Sequence, residues 1–348
     1  MASFSRRDFL RFLMTLSGAG IASYLSGCKS VKPTPGPMPT ENEFSPTDGH
    51  TATMPPGETA TMPPPANATA TEAATPEEVY LAVARGSGAG PDELTRRAIA
   101  ALGGIERFVQ QGADVIVKPN ICNAYHGPEY ASTTNPMVVA AIVALCLQAG
   151  AKRVRVMDFP FGGMAKNAYQ TSGIAQAVEA VGGQMELMNK LKYQEVAIPN
   201  AKALNKTDIY SDILNADTLI NVPIAKHHSG ARLTLGLKNL MGVIRDRGAL
   251  HANGLHPSIV DLSTVVRPHL TVIDATRILV ANGPTGGDLN DVRQMDTVIA
   301  SADVVAADAY AATLFDLTGA DIDYIKLADQ QGLGTMDLAS IRIQEIDV

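Results

Sequence analysis

The sequence predicts an α/β fold in which a mostly parallel sheet has helices on both faces. From residue 77 onward, short β-branched runs alternate with longer amphipathic stretches, which is the pattern of βαβ units. Pro91 and Pro136 stand where a first helical turn tolerates a missing N–H, and Gly150 and Gly182 stand where helices stop. Right-handed crossovers between such units build a layered, Rossmann-like sheet.

The alternation places each element in order along the chain. Strands are predicted at 79–84, 113–118, 153–158, 184–188, 218–222, 269–273, 297–301 and 341–346. Helices are predicted at 91–110, 136–149, 173–181, 233–243, 257–266, 304–317 and 321–330. We therefore expect a single α/β domain over residues 77–348.

Composition narrows the classes of function. The 348 residues are 46% hydrophobic, which is ample for a core. A formal charge of -7 argues against a surface that neutralises many phosphates, so nucleic acid is not an expected partner. Aromatic residues make up 5% of the chain and Trp is absent, which is unfavourable for a platform that stacks bases or sugars.

Residues 1–27 predict an export signal. Arg6 and Arg7, followed by Phe9 and an apolar run, resemble a twin-arginine signal, although a chance arginine pair before an ordinary secretory signal reads the same way. The segment 25–28 resembles a bacterial lipobox, which implies lipidation of Cys28. The expected partners are the twin-arginine export machinery and a membrane. The expected location is the outer face of the bacterial cytoplasmic membrane or the cell surface.

Residues 28–76 predict a disordered linker. This stretch contains more than half of the 21 prolines, together with many Thr and Ala residues. It has too few large apolar side chains to bury a core, and its prolines favour extended conformations. The linker would hold the domain away from the lipid.

Ligands in parallel α/β sheets bind beyond the carboxyl ends of the strands, so polar residues at strand ends are candidate site residues. Lys118 ends a buried run and faces either solvent or a ligand, and Asn120 offers an amide just after it. Asp158 ends the next strand, where a carboxylate is either structural or functional. These positions favour a polar cleft at this edge of the sheet.

Residues 221–242 contain the highest density of candidate site residues in the sequence. If 226–228 is extended, Lys226 and His228 share one face. Lys238 and Asn239 follow on the predicted helix 233–243. These side chains could converge on an anionic group, with Lys226 and His228 as catalytic residues and His228 as proton donor or metal ligand. A solvated loop and a surface helix would produce the same pattern.

Three further residues complete the predicted site. Asp274 follows a strand, and Asn282 opens a loop rich in Gly and Pro, of a kind that closes over ligands and also forms ordinary turns. Asp308 lies inside a predicted helix among Ala and Val, where a charge needs a partner such as a lysine unless it faces water. We expect Asp274 and Asp308 to supply countercharge to the lysines.

The sequence contains few features that indicate a cofactor. Cys122 and Cys146 remain after lipidation of Cys28, and the sequence leaves open whether they pair in an oxidising compartment or stay free. Cys146 reads as a core residue and Cys122 as the better candidate for a reactive thiol. A self-contained iron–sulfur cluster needs about four thiolates and is not expected. The sequence lacks a dinucleotide fingerprint at a strand end, a P-loop, and local zinc or calcium spacings. The cofactor, and any metal, stay unknown.

Taken together, several motifs resemble the bacterial and archaeal family catalogued as domain of unknown function 362. They are Lys118-Pro119-Asn120, Lys226-His227-His228, the segment 236–242, Asp261, Asp274 and the segment 282–286. The resemblance covers residues 80–345 and implies an α/β fold with a pocket. Many relatives also carry a ferredoxin-type cysteine quartet, which this chain lacks. The resemblance therefore implies no particular reaction.

The leading hypothesis is an exported, lipid-anchored protein that binds an anionic small molecule or cofactor in a cleft lined by Lys, His and Asn, with or without catalysis. A non-catalytic lipoprotein that captures a solute at the cell surface is the first alternative. A metal-dependent isomerase or oxidoreductase is the second.

Overall fold

A computed structural model describes residues 79–348, and its centre is a mixed sheet of ten strands. The strands of its main path are β1 (Leu81–Arg85), β2 (Asp114–Pro119), β3 (Arg153–Val156), β4 (Gln184–Met185), β7 (Thr218–Val222), β10 (Leu270–Leu279), β11 (Val292–Ser301) and β12 (Ile343–Asp347). Their order across the sheet is β12-β1-β11-β10-β7-β2-β3-β4. Five of these neighbouring pairs are parallel, and only β11 runs antiparallel to its neighbours β1 and β10.

Four strands lie off this path. β5 (Tyr193–Ala197) and β6 (Lys206–Tyr210) form a separate antiparallel pair. β8 (Ile224–His228) continues directly from β7 and pairs with β10, while β9 (Arg232–Thr234) folds back on β8 as a short hairpin. The hairpin rises from the carboxyl end of β7 and so stands over the edge where a ligand is expected.

The helices cover both faces of the sheet. They are α1 (Pro91–Ala101), α2 (Pro136–Gln148), α3 (Ala165–Thr171), α4 (Ile174–Ala180), α5 (Ser211–Asn215), α6 (Gly236–Asn239), α7 (Gly248–Ala252), α8 (Leu255–Val265), α9 (Val304–Thr313) and α10 (Asp323–Gln330). Alternate residues of one strand enter different cores: Val115 and Val117 pack with α1 and α2, whereas Ile116 packs on the side of α8 and α9. The predicted α/β fold, with helices on both faces of a mostly parallel sheet, is confirmed.

Several boundaries differ from prediction for local reasons. The helix predicted at 91–110 ends at Ala101, because Gly103 and Gly104 both have positive φ angles that break the helix. The helix predicted at 233–243 is instead the end of β9, then α6, then a 3-10 turn over Leu240–Val243. Strands β5, β6, β8 and β9 and helices α3, α5 and α7 were not predicted, and β10 and β11 are longer than expected.

The predicted signal 1–27, the lipidation site Cys28 and the linker 28–76 lie outside the described residues. Across residues 79–348, no helix has the length and apolar character needed to cross a membrane.

Candidate functional site

A partly open cavity of about 300 Å³ lies beyond the carboxyl ends of β2, β3 and β8. Its polar lining is Lys118, Asn120, Cys122, Asp158, Lys226, His228, Thr234, Lys238, Asn239, Arg247 and His251. Its remaining lining is Ile121, Phe159, Phe161, Met241, Gly242 and Pro284. The volume is at the lower end of the range for small-molecule sites, so the cavity suits a small ligand.

Lys118 forms a buried ion pair at the floor of the cavity. Its Nζ lies 2.8 Å from Oδ1 of Asp158 and donates to the carbonyl oxygen of Pro119 and to Oδ1 of Asn239. Burial lowers the pKa of Lys118, and the charge of Asp158 opposes that shift. Two hydrogen bonds and the ion pair with Asp158 therefore surround the ammonium group within the protein.

Gly242 makes this ion pair possible. A Cβ atom at residue 242 would lie 2.0 Å from Oδ1 of Asp158 and 2.6 Å from Nζ of Lys118. The 3-10 turn that follows α6 therefore approaches the charged pair by its backbone, and a side chain would push the two groups apart.

Lys226 is also held by three acceptors. Its Nζ donates to Oδ1 of Asn120 at 3.1 Å, to the carbonyl oxygen of Ser132 at 2.6 Å and to that of Pro284 at 3.0 Å. Strand β8 ties the lysine to the sheet, and the acceptors come from two loops: Asn120 and Ser132 from the one between β2 and α2, and Pro284 from the one after β10. Lys226 contributes fixed positive charge and joins these loops, while its donors are already used.

Asn120 and Asn239 connect the two lysines. Nδ2 of Asn120 donates to Oδ1 of Asn239 at 3.0 Å, and that oxygen also accepts from Lys118. Nδ2 of Asn239 donates to the side chain of Asn221 and to the backbone oxygen of Lys118. The two amides thus hold the lysines at fixed positions, and their own donors and acceptors are largely satisfied within the protein.

Lys238 differs from the other two lysines. It is buried, and the hydrogen-bond acceptor that the structure records for its Nζ, within residues 79–348, is the thioether of Met241 at 3.7 Å. Burial, followed by the positive charges of Lys226 and Arg247, lowers the pKa of Lys238 to about 7. Lys238 can therefore gain or lose a proton near neutral pH, and it has donors to offer an anion.

Arg247 adds a fourth cation. Its Nε donates to the carbonyl oxygen of Met241, and its guanidinium lies 5.1 Å from the ring centre of Phe159. Its Nη2 is buried without a hydrogen-bond partner within the described chain. Burial lowers the pKa of Arg247, and Asp158 opposes that shift. An arginine in this state favours an anion nearby.

His228 is a neutral group in this setting. Its Nδ1 accepts hydrogen bonds from the backbone N–H groups of Gly230 and Ala231, so the neutral ring carries its proton on Nε2. Burial, together with the charges of Lys238 and Lys226, lowers the pKa of His228 to about 3. The ring is thus a hydrogen-bond donor at neutral pH, whereas Lys238 has the pKa suited to proton transfer.

The segment that carries Lys238 is fixed from its amino end. Asp308 on α9 accepts from the backbone N–H groups of Gly236 at 2.6 Å and Leu237 at 2.9 Å. A Cβ at residue 236 would lie 2.7 Å from the same carboxylate, so glycine is required for this approach. Burial raises the pKa of Asp308 to about 8, and the two hydrogen bonds oppose that shift.

Six predicted site residues come together in the cavity: Lys118, Asn120, Lys226, His228, Lys238 and Asn239. The predicted shared face of Lys226 and His228 is observed, since both line the cavity while Nδ1 of His227 accepts from Gly283 outside it. The remaining three predicted residues do not belong to the cavity lining.

Asp274, Asn282 and Asp308 require correction. Asp274 is fully buried and accepts from the backbone N–H of Asn135, at the start of α2, and from Thr276. Asn282 is exposed and donates to Asp291. Asp308 was expected to meet a lysine or face water, but it binds backbone N–H groups in the core. Asp274 and Asp308 both accept hydrogen bonds from buried backbone N–H groups, so neither needs a lysine as its partner.

The sequence interpretation missed Arg247, His251 and Thr234 as lining residues, and it left Asp158 as either structural or functional. Arg247 lies five residues after the motif 236–242, but an arginine in a polar stretch normally reads as surface. Asp158 was recognisable only as a strand-end carboxylate, because its partner Lys118 is 40 residues away in the chain. The strand-end position was the usable signal for it.

The two cysteines in the described residues are buried and unpaired. Burial raises the pKa of Cys146 to about 12, in keeping with the predicted core role. Cys122 lines the cavity, accepts from Nδ2 of Asn123 and lies 3.4 Å from the carbonyl oxygen of Pro284. In the part of the chain that the structure describes, no cluster of three or more His, Cys, Asp or Glu side chains is arranged to hold a metal ion.

Relatives of known sequence and structure can be compared with this chain. The Thylakoid-associated protein sll1697 of Synechocystis sp. is 27% identical over 246 residues, which span 68% of this chain and 74% of that protein. The lactate racemase apoprotein of Thermoanaerobacterium thermosaccharolyticum has a TM-score of 0.37 at 13% identity, over 64% of this chain and 54% of that one. A structural-genomics protein from Thermotoga maritima has a TM-score of 0.40 at 13% identity, over 65% of this chain and 58% of that one. The chain spans little more than half the length of either solved protein.

The sequence also matches a family described as Domain of unknown function (DUF362), over residues 115–313. The match covers more than half of the chain and includes the strand end at Lys118 as well as the hairpin and turn that carry Lys226 and Lys238. The cavity is thus built from the part of the sequence that the family shares, and this α/β chain belongs to the DUF362 family.

Proposed function

We propose that this protein binds an anionic small molecule in the cavity and uses Lys238 to transfer a proton to or from it. One observation carries the proposal: four cationic side chains line the cavity with a single carboxylate among the described lining residues, that of Asp158. The cations are Lys118, Lys226, Lys238 and Arg247. A buried excess of positive charge is costly, and an anion relieves it.

The cavity residues have different roles because they differ in how many of their hydrogen-bond donors are already used within the protein. Lys118 and Lys226 supply charge from fixed positions, because each is already bound to three oxygens. Lys238 supplies free donors, and the Nε2–H of His228 supplies a neutral one. A pKa of about 7 lets the Lys238 amine act as base and its ammonium act as acid at neutral pH. His228, predicted from the sequence as a proton donor or metal ligand, is assigned in this proposal to binding the anion.

The proposal is tested by titrating inorganic phosphate and acetate into the full-length protein at pH 8 in buffers of different ionisation enthalpy. A bound anion stabilises the ammonium form and raises the pKa of Lys238 above its free value. At pH 8 each anion should therefore bind with net uptake of protons. Lys238→Met should weaken binding at least tenfold and abolish the uptake, whereas Lys190→Met, on an exposed lysine, should change neither.

The pKa of Lys238 is measured separately by acetylation with acetic anhydride across pH 5 to 10, read by mass spectrometry. Lys238 should acetylate with a midpoint near 7, well below that of an ordinary lysine. Absence of anion binding at pH 6 and 8, or acetylation of Lys238 with the midpoint of an ordinary lysine, would contradict the proposal. Anion binding without conversion in a screen of small acids would favour the solute-capturing alternative.

We also propose that the domain acts outside the cytoplasm, tethered through Cys28. The arginine pair and the lipobox in the sequence support this. Labelled palmitate should be incorporated into the wild type and not into Cys28→Ser, and Arg6→Lys with Arg7→Lys should retain the protein in the cytoplasm. Equal labelling of Cys28→Ser would overturn the anchoring.

A further inference from the structure

An apolar rim adjoins the cationic cavity. We define it by two large side chains, Tyr125 and Phe161, which are 58% and 55% exposed. Phe161 also lines the cavity itself. Single exposed apolar residues are ordinary, but a neighbouring pair of exposed rings, one of which lines a charged cavity, needs an explanation.

The rim is held in a fixed arrangement by its backbone. The N–H of Phe161 donates to the carbonyl oxygen of Cys122 at 3.1 Å, and the N–H of Ala124 donates to that of Gly162 at 3.0 Å. A Cβ at Gly162 would lie 2.9 Å from Cζ of Tyr125, so the tyrosine ring lies directly against the backbone next to Phe161. Two loops thus present the apolar surface as one paired unit.

The apolar surface continues inside the cavity. Phe159, Met241 and Pro284 form part of its wall, and the ring of Phe159 lies under the guanidinium of Arg247. Lys238 and its neighbour Met241 are on the same turn of chain, so charge and apolar wall stand side by side. The cavity therefore offers an anion site that leads across apolar side chains to the rim.

From this continuity we propose that the ligand is an amphipathic anion: its charged group binds at Lys238, and an alkyl or aryl group lies along Phe159 and Phe161 to the rim. This rests on the anion binding proposed above and names the chemical class of the ligand. A protein partner fits less well, because a stable interface buries about 800 Å² on each partner and two partly exposed side chains offer far less than that.

The test is calorimetric titration of the full-length protein with n-alkyl carboxylates from acetate to octanoate, and with n-alkyl phosphates of the same lengths. Each methylene that the rim partly or fully buries should raise affinity about two- to fourfold. Phe161→Ala should reduce the ratio of octanoate to acetate affinity at least fivefold. Leu191→Ala, at a side chain that is 90% exposed and outside the cavity lining, should leave that ratio unchanged.

The outcomes separate the two proposals. Short anions that bind with no dependence on chain length would overturn the amphipathic ligand while leaving anion binding intact. Failure of every anion, short or long, would overturn both. Adsorption to neutral phosphatidylcholine vesicles that Phe161→Ala abolishes, with a flat alkyl series, would assign the rim to a lipid surface and overturn the ligand proposal. An affinity that rises with chain length in either the carboxylate or the phosphate series supports the amphipathic ligand. The series with the higher affinity identifies the charged headgroup.

Discussion

Two clusters of charged side chains in this protein have opposite balances. One is centred on the buried Arg155, and its members are the cations Arg153, Arg155 and Lys192 and the carboxylates Asp114, Glu186 and Asp212. The other lines the cavity, where four cations face one carboxylate among the described lining residues. The first cluster is balanced, three against three. The second carries unmatched positive charge.

The pKa shifts in the two clusters follow this difference in charge balance. In the balanced cluster, carboxylates raise the pKa of Arg155 although burial opposes it, and the cations lower the pKa of Asp114, Glu186 and Asp212. In the cavity, burial and neighbouring cations lower the pKa of Lys238. A cluster that satisfies itself stabilises the fold, whereas a cluster that stays unsatisfied is suited to receive a ligand.

The largest expected effect comes from removing the carboxylate of Asp158, the one carboxylate among the described residues that line the cavity. Asp158→Ala leaves Lys118 buried without its ion pair and deprives the N–H of Ile121 of its acceptor. The free energy of unfolding should fall by about 3–5 kcal/mol. Urea denaturation followed by circular dichroism measures this.

The matched change in the balanced cluster is Asp114→Ala. Arg155 keeps Glu186 and Asp212 as partners, and the cluster is partly exposed, so the loss should be about 1 kcal/mol. Equal losses at residues 158 and 114 would show that the two clusters do not differ in the way their charge balance indicates.

The strand-end rule accounts for what the sequence predicted about the site. Lys118 and Asn120 follow β2, and Lys226 and His228 lie on β8 just beyond β7, so parallel pairing brings them to one edge. The same reasoning failed for Asp274 and Asp308. A buried carboxylate can bind a lysine or a backbone N–H, and the choice depends on which segment packs against it, which sequence does not show.

The secondary structure was predicted best where the apolar residues follow a single period, either that of a strand or that of a helix. Leu233, Leu235, Leu237 and Leu240 fit an alternating pattern at the start and a helical one at the end, so a single helix was predicted across a strand, a short helix and a 3-10 turn. Tertiary pairing of β9 with β8 decided the first part. The sequence could not predict that the hydrogen-bond donors of Lys226 are used within the protein while Lys238 has donors left for a ligand. Both facts depend on which acceptors distant loops place beside each lysine.

A smaller effect is expected from filling the space beside the cavity's ion pair. Gly242→Ala places a methyl group against Asp158 and Lys118, and the side chains can move apart only by losing their contact. The expected destabilisation is about 1–3 kcal/mol, together with weaker anion binding. Gly88→Ala, where a Cβ would meet nothing within 4 Å, is the control and should be neutral. If Gly242→Ala matches Gly88→Ala in both urea denaturation and calorimetry, the close approach at residue 242 has no energetic role.

The last change concerns the unmatched positive charge of Lys238. The pKa of Lys238 is about 7 in the folded protein and near 10.4 in an unfolded chain, so between these values the unfolded state binds more protons. Stability from this residue is therefore present at high pH and is lost as pH falls from about 10 to 7. Lys238→Met removes the dependence and should stabilise the ligand-free protein at pH 6 by about 1–2 kcal/mol, with the gain shrinking toward pH 10.

Thermal unfolding of Lys238→Met, of Lys190→Met and of the wild type across this pH range measures the difference. Lys190 is exposed, so its variant should follow the wild type at every pH. Because burial and the charges of Lys226 and Arg247 depress the pKa of Lys238, phosphate should remove much of the stability gap at pH 6 by binding the wild type more tightly than the variant. A gap of constant size with pH, or one insensitive to phosphate, would mean that Lys238 is not the site of unmatched charge, and the contrast with the Arg155 cluster would lose its functional meaning.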